Sequence, residues 1–402
     1  MDRTHEQPGL SVLATPGPAT EALHVLTLVP FYPSEENLVD GCFVAESLAE
    51  LQKYNVASSV IAVAPAYHAA KHSTPSAPAE WLRYAQVPGN FGLPTAGPLL
   101  FARLLGRIRR LQQQRYVDVI HAHSALPCGH AAAMLARRLG IPFVVTIHGL
   151  DAFNACFEDG WAAAWRKKVS RQVYRQAKVV ICVSDRIRQN LEDGMDQPVP
   201  SAVVYNGTDI ELFSPGEPAR GEGPVILVVG SLLRGKGQET VLRAMSRISG
   251  SYPSLQCRII GEGRDGGQFQ ALACELGLAQ RVQFLGLQSR IQVAQAMREC
   301  TLFALPSYYE GLGCVYLEAM ACGKPVIGCR GQGIGEIVQH GVNGWLVGAN
   351  NVEELAEGLA ALLRDAELRQ KLGMAARQTI VERLTFAQQA QLLRTVYEEA
   401  AR

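Results

Sequence analysis

Pro306-Ser-Tyr-Tyr-Glu310-Gly-Leu-Gly-Cys-Val-Tyr-Leu-Glu318-Ala-Met-Ala-Cys-Gly323-Lys-Pro-Val326 is the stretch that decides the reading of this chain. It follows an apolar run, Thr301 to Leu305, that reads as a strand. A glycine-rich turn comes next, then a short helix opened by Gly313. One glutamate precedes the turn and a second lies inside the helix. A helix start beneath a glycine turn offers unpaired backbone N–H groups and the positive end of the helix dipole, which suits a phosphate. The two carboxylates would repel that phosphate, so their partners are hydroxyl groups. A ligand with phosphates and many hydroxyls is a nucleotide sugar. The plain alternative is a buried βα unit whose glutamates are merely solvated.

Working outward, short apolar runs alternate with helical stretches along the whole chain. In the first half they are 24–29, 59–64, 117–121, 143–148, 179–184 and 202–205; in the second, 225–230, 256–261, 282–286, 301–305, 326–329 and 345–347. Uninterrupted apolar strands separated by helices mean parallel sheets covered on both faces. Phe43, Val44, Ser47, Leu48 and Leu51 form one apolar stripe at helical spacing. The Pro/Gly-rich stretch from Leu212 to Pro224 reads as a hinge between two similar halves. The fold class expected is therefore α/β, with two doubly wound parallel-sheet domains facing across a cleft and ligands beyond the carboxyl ends of the strands. Expected bounds are a disordered, Pro/Gly/Thr-rich leader over 1–22, a first domain over 23–212, a second over 213–384 and a terminal helix over 385–402.

At 402 residues the chain exceeds what one core usually serves. A hydrophobic content of 48% and a charged content of 19% are those of an ordinary globular protein. The net charge of +1 gives no drive toward nucleic acid. Ten cysteines without a C-x-x-C pair argue against a disulfide or zinc framework, and fit reduced thiols in a cytoplasmic protein. No run approaches the ~20 apolar residues of a spanning helix, and the leader lacks the apolar core of a signal peptide.

Two glycine motifs in the second half have rival readings. Gly230-Ser-Leu-Leu-Arg-Gly235-Lys236-Gly237 nearly matches a P-loop, but Gly237 stands where a Mg²⁺-holding hydroxyl is needed. Gly261-Glu262-Gly263-Arg-Asp-Gly266 has dinucleotide spacing, yet Val282 to Gln288 offers no acidic residue for a ribose about 20 positions on. Each rival fails on its discriminating residue. Arg234 and Lys236 are instead placed to neutralise a diphosphate, since charge-assisted contacts to phosphate are among the stronger polar interactions.

The Glu310–Val326 block resembles retaining glycosyltransferases of the GT-B fold, in particular glycosyltransferase family 4, and the resemblance extends over about residues 22–400. It implies that Glu310 contacts hydroxyls of the donor sugar and that Glu318 holds the ribose diol. The amides of Leu312, Gly313, Cys314 and Val315 then lie over the β-phosphate, with Gly311 also in the donor-binding turn. Gly230, Gly261, Glu262 and Gly263 bring backbone close to the nucleotide, and the Phe284–Leu285–Gly286 strand end reads the base. Thr146-Ile-His148-Gly149-Leu-Asp151 resembles the family's His-Gly-x-Asp element, whose histidine approaches the transferred sugar. Gly41 matches a glycine that lets the chain pass near the diphosphate. Family members usually carry an arginine where this chain has Ser231, and many have Phe where it has Leu312; Arg234 is the substitute cation.

The expectation is thus a retaining glycosyltransferase that needs no metal and no cofactor. It moves a sugar from a nucleoside diphosphate donor to a glycan or lipid-linked acceptor, with His148, Glu310, Arg234 and Lys236 as the catalytic set. His121 and His123 read as buried histidines rather than metal ligands. An epimerase or hydrolase of the same fold would need a carboxylate base in the first domain, where only Asp151 or Glu158 is near. A catalytically silent sugar-nucleotide binder would keep Glu318 but lose Glu310 or Lys236; this chain keeps all three. The basic helix Trp161 to Arg175 and the cluster from Arg103 to Arg115 are by default solvated faces. The sharper alternative is a peripheral contact with an anionic membrane surface that presents the acceptor.

Overall fold

The computed structural model describes residues 22–69, 71–87, 92–149, 160–216 and 223–402. The leader, Asp151, Glu158 and the middle of the expected hinge, residues 217–222, lie outside the described residues. Two all-parallel sheets form two α/β domains. The first has seven strands: β1 (Leu23–Val29), β2 (Val56–Pro65), β3 (Glu80–Tyr84), β4 (Val119–His123), β5 (Phe143–Ile147), β6 (Val179–Cys182) and β7 (Ser201–Val203), in the order 3-2-1-4-5-6-7. The second has six: β8 (Val225–Val229), β9 (Gln256–Ile260), β10 (Val282–Phe284), β11 (Leu302–Ala304), β12 (Val326–Cys329) and β13 (Trp345–Val347), in the order 10-9-8-11-12-13. Both orders are doubly wound, with the switch point beside the first strand, so each sheet opens a crevice at its carboxyl edge.

The central strands β4, β5, β8 and β11 are buried at every residue. That is why they read as unbroken apolar runs rather than alternating ones. β3 escaped the sequence reading. It is an edge strand of Glu, Trp, Leu, Arg and Tyr, buried only at Leu82 and Tyr84, so half of it looks like surface. β4 runs two residues beyond the expected stretch, because Ala122 and His123 stay in register with Val145 and Thr146. This extension carries His123 into the cleft.

Among the helices, α1 (Cys42–Gln52) buries Val44, Ser47, Leu48 and Leu51, the stripe seen in the sequence. Later in the chain come α2 (Leu93–Gln114), α3 (His130–Leu139), α4 (Trp161–Gln176), α5 (Asp185–Gly194), α6 (Gln238–Ile248), α7 (Gly266–Glu275), α8 (Arg290–Glu299), α9 (Cys314–Ala321), α10 (Val352–Arg364), α11 (Ala366–Arg383) and α12 (Phe386–Ala401). The last begins with a capping box between Thr385 and Gln388, which satisfies orphan N–H groups at its start. It then packs on α1: Ala390, Leu393, Val396, Tyr397 and Ala400 join the cluster that includes Val25, Val44, Leu48 and Leu51. A helix made after the second domain thus completes the core of the first. The described cysteines are free thiols, mostly buried, with Cys274 exposed. Among the described residues, no helix is long and apolar enough to cross a membrane.

Candidate active site

The carboxyl ends of β8, β9 and β10 are stitched into one platform. The Gly230 N–H donates to Ile260 O at 3.0 Å, the Gly261 N–H to Gly286 O at 2.9 Å and the Leu232 N–H to Glu262 O at 2.9 Å. A Cβ on Gly263 would stand 2.4 Å from Leu232 O, so the turn tolerates no side chain there. The Leu285 side chain is 38% exposed at the β10 end, on the side where the resemblance puts a base. Next along the sheet, α9 starts after Gly313 at φ +81° and carries Cys314 and Val315 in its first turn.

Each carboxylate of the motif meets a cation. Lys236 Nζ donates to Glu310 Oε2 at 2.6 Å, with both side chains about four-fifths buried. Glu318, deep in α9 and only 4% exposed, accepts on Oε1 from the Arg290 guanidinium. Arg234 does not join this group. Its N–H is held by Asp265 at 2.8 Å, and its guanidinium leans on Gln268 of α7 at 3.0 Å.

On the facing wall, Gly41 turns the chain into α1 at φ +67°. A Cβ there would stand 2.3 Å from Phe31 O, so the position needs glycine twice over. His148, at the β5 end, sits edge-on between Phe31 and Phe43, with ring centroids 5.3 and 5.4 Å away. His123 Nδ1 and His148 Nε2 share a hydrogen bond of 2.8 Å, and their rings lie nearly parallel. His121 stacks on His123 at 4.3 Å and bonds Tyr397 OH and Thr146 Oγ1, each at 2.7 Å. Burial holds all three imidazoles neutral. It pushes His121 and His148 down to about 3 and His123 well below the usual value. A cavity of about 20 Å³ lies among these rings, Asn206 and Tyr397.

The walls touch through backbone. A Cβ on Gly311 would stand 2.4 Å from His148 O, and within the second domain one on Gly333 would stand 1.8 Å from Gly311 O. Ser184 Oγ donates to Gly311 O at 2.7 Å. Asn206 Nδ2 donates to Cys314 Sγ at 3.3 Å. The Glu336 carboxylate, from the second domain, accepts from the Asp185 and Arg186 N–H groups at 2.8 and 2.7 Å and from Tyr205 OH at 2.9 Å. An anion at the start of α5 suits its dipole. The structure therefore brings His148 and Gly149 against Gly311, and Lys236 against Glu310.

Three residues escaped the sequence reading: Glu336, Arg290 and Glu46. Arg290 had left a signal. It is the first residue of α8, where a cation opposes the helix dipole, and such a placement asks for a nearby carboxylate. No group of three or more His, Cys, Asp or Glu suited to a metal occurs among the described residues.

Residues 43–212 match the family model described as Glycosyltransferase Family 4, and residues 209–379 match Glycosyl transferases group 1. An uncharacterized glycosyltransferase of Methanocaldococcus jannaschii is 32% identical over 284 residues, covering 70% of this chain and 76% of that protein. The chain belongs to the family 4 glycosyltransferases. This glycosyltransferase is also 33% identical over 293 residues to the D-inositol 3-phosphate glycosyltransferase of Mycobacterium leprae, covering 68% of the chain and 67% of that protein. Its fold is that of sucrose-phosphate synthase from Thermosynechococcus elongatus, with a TM-score of 0.78 at 22% identity over 94% of this chain and 98% of that one. Anabaena HepE, solved with UDP and glucose, superposes with a TM-score of 0.74 at 21% identity over 93% and 99% of the two chains. The GT-B fold and transferase activity expected from the sequence are thereby established.

Proposed function

We propose that this glycosyltransferase takes its sugar from a nucleoside diphosphate donor, retains the anomeric configuration and works without a metal. The observation that carries the reading is the Lys236–Glu310 pair at 2.6 Å beside the start of α9. Together with that helix start, the pair supplies a cation for the diphosphate, a carboxylate for sugar hydroxyls and N–H groups for a phosphate, from two loops 74 residues apart in sequence. An incoming diphosphate competes for Lys236, and Glu310 is then released to the sugar. Glu318 keeps the ribose diol. The acceptor hydroxyl attacks the anomeric carbon on the face the phosphate leaves. The bond from the anomeric carbon to the phosphate oxygen breaks as the new C–O bond forms, and the acceptor's proton passes to the departing phosphate. Lys236 and the α9 dipole stabilise the charge that grows on that leaving group. The bound UDP in HepE supports testing UDP-sugars first.

For the acceptor we propose a glycan or a lipid-linked glycan. Trp161, 66% exposed and stacked on Trp165 at the start of a helix rich in Arg and Lys (Trp161–Gln176), supports a lipid-linked acceptor met at an anionic surface. The test of the donor is calorimetry with UDP- and GDP-sugars, followed by NMR of the product anomer. Tight binding of one series and a product of unchanged anomeric configuration uphold the reading. Binding of neither series, or an inverted product, overturns it. Co-sedimentation with anionic vesicles checks the membrane contact.

A further inference from the structure

Arg290 lies at the meeting point of the two domains. Its Nε and Nη2 donate to Glu46 Oε1 at 3.0 Å and Oε2 at 2.7 Å, while Nη1 reaches Glu318 Oε1. Glu46 belongs to α1 of the first domain and Glu318 to α9 of the second. The guanidinium face covers the Phe213 ring, 4.7 Å from its centroid, where the chain passes from one domain to the other. Arg290 is 17% exposed, Glu46 28% and Glu318 5%. One cation thus serves two carboxyl groups in a largely dry place and can offset the charge of only one of them. Such a trio is costly unless further donors arrive. Glu318 Oε2 has no hydrogen-bond partner among the described residues, so the hydroxyls of a diol can supply those donors.

We propose that Arg290 is a positioning residue that fixes Glu318 for the ribose of the donor and ties it to Glu46, so that filling the nucleotide subsite also seats α1 of the first domain. The assignment rests on the nucleotide reading of Glu318. A planar guanidinium suits the task because it can engage Glu46 with two donors and Glu318 with a third; a lysine ammonium is a point charge and cannot hold both. Glu46 then acts at a distance. Among the described residues its hydrogen bonds go to Arg290, yet its loss weakens nucleotide binding. Coupling between sites typically amounts to about five- to 150-fold in affinity, and a single tie of this kind belongs near tenfold.

The test is a double-mutant cycle on the full chain, read by calorimetry with UDP and GDP and by initial rates with the donor those experiments select. Glu46→Gln is expected to weaken nucleotide binding about tenfold in the wild-type background and to have no effect in the Arg290→Met background. Arg290→Lys keeps a charge for Glu318 but cannot hold Glu46 as well, so it is expected to weaken nucleotide binding about as much as Glu46→Gln does and less than Arg290→Met does, a graded pattern that a purely structural role would not produce. Should Arg290→Met fail to fold, Arg290→Lys takes its place in the cycle. Additive effects of Glu46→Gln and the Arg290 variant, or no effect of Glu46→Gln on nucleotide affinity, overturn the tie. Glu318→Gln separates the two claims. If it weakens nucleotide binding while the cycle is additive, the ribose reading stands and only the tie falls; if it leaves UDP and GDP binding unchanged, both fall.

Discussion

On the first-domain wall of the cleft, three imidazoles, two phenylalanines and a tyrosine meet without a formal charge. On the second-domain wall, two carboxylates each sit against a cation. The neutral wall is held by ring stacking and short neutral hydrogen bonds. The charged wall is held by ion pairs that a ligand of the right charge can exchange. Under the reading proposed above, a diphosphate would engage the charged wall and an uncharged sugar the neutral one. The same reading would divide the chemistry between the two motifs, with the leaving-group electrostatics on one wall and a dry face behind the reacting carbon on the other.

The comparison can be broken first at Lys236. Lys236→Ala should lower kcat by about 10²–10³-fold, because the leaving-group charge peaks in the transition state. Initial rates at saturating donor read this, and a wild-type kcat would remove Lys236 from the charged wall's chemistry. Next, Glu318→Ala should cost ~1.5–3 kcal/mol of nucleotide affinity through the lost charged hydrogen bonds. Glu310→Gln should leave that affinity nearly intact while cutting turnover. Calorimetry with UDP and GDP distinguishes the pair.

A pH titration sharpens the contrast further, because the neutral rings and the carboxylate that reaches across to Arg290 respond in opposite senses. His121 is held near 3 in the folded chain against an ordinary 6.5. Its contribution to stability is fully present above pH 6.5 and is lost as the pH falls toward 3, amounting to about 1.4 kcal/mol by pH 5.5. Burial raises the Glu46 carboxyl to about 7 against the pull of Arg290. Its contribution is present below about 4.5 and is lost as the pH rises through 7. Urea midpoints across pH 5–8 should show His121→Gln flattening the acid side and Glu46→Gln flattening the neutral side. The smallest effect is expected from excess EDTA, which should leave turnover unchanged; loss of activity restored by Mn²⁺ would overturn the metal-free mechanism.

Much of the architecture was legible because doubly wound sheets bury their central strands on both faces, and Val144, Val228 and Phe303 cannot belong to anything else. The edge strand Glu80–Tyr84 was not legible, since a half-solvated strand has surface composition. Within the site, glycine positions and the Glu310/Glu318 spacing are local facts written in consecutive residues. The partners of those glutamates are not. Arg290 lies 28 residues from Glu318 and 244 from Glu46, and only the folded interface joins them. Arg234 shows the converse: its spacing suited a phosphate, but its guanidinium turns to Gln268 while Asp265 holds its backbone N–H.

The packing of α12 on α1 has a consequence for how the molecule is made. During synthesis, β1 and α1 emerge early, while Leu393, Val396 and Tyr397, which cover them, are added only after the entire second domain. At about 5–20 residues per second, some 340 residues separate the end of α1 from the helix that seals it, an interval of tens of seconds. Through that interval His121 lacks its tyrosine partner and one flank of the first sheet stays wet. The second domain, whose core is contiguous in the chain, can finish first. The core of the wall that holds His148 is therefore completed only by chain made after the second domain.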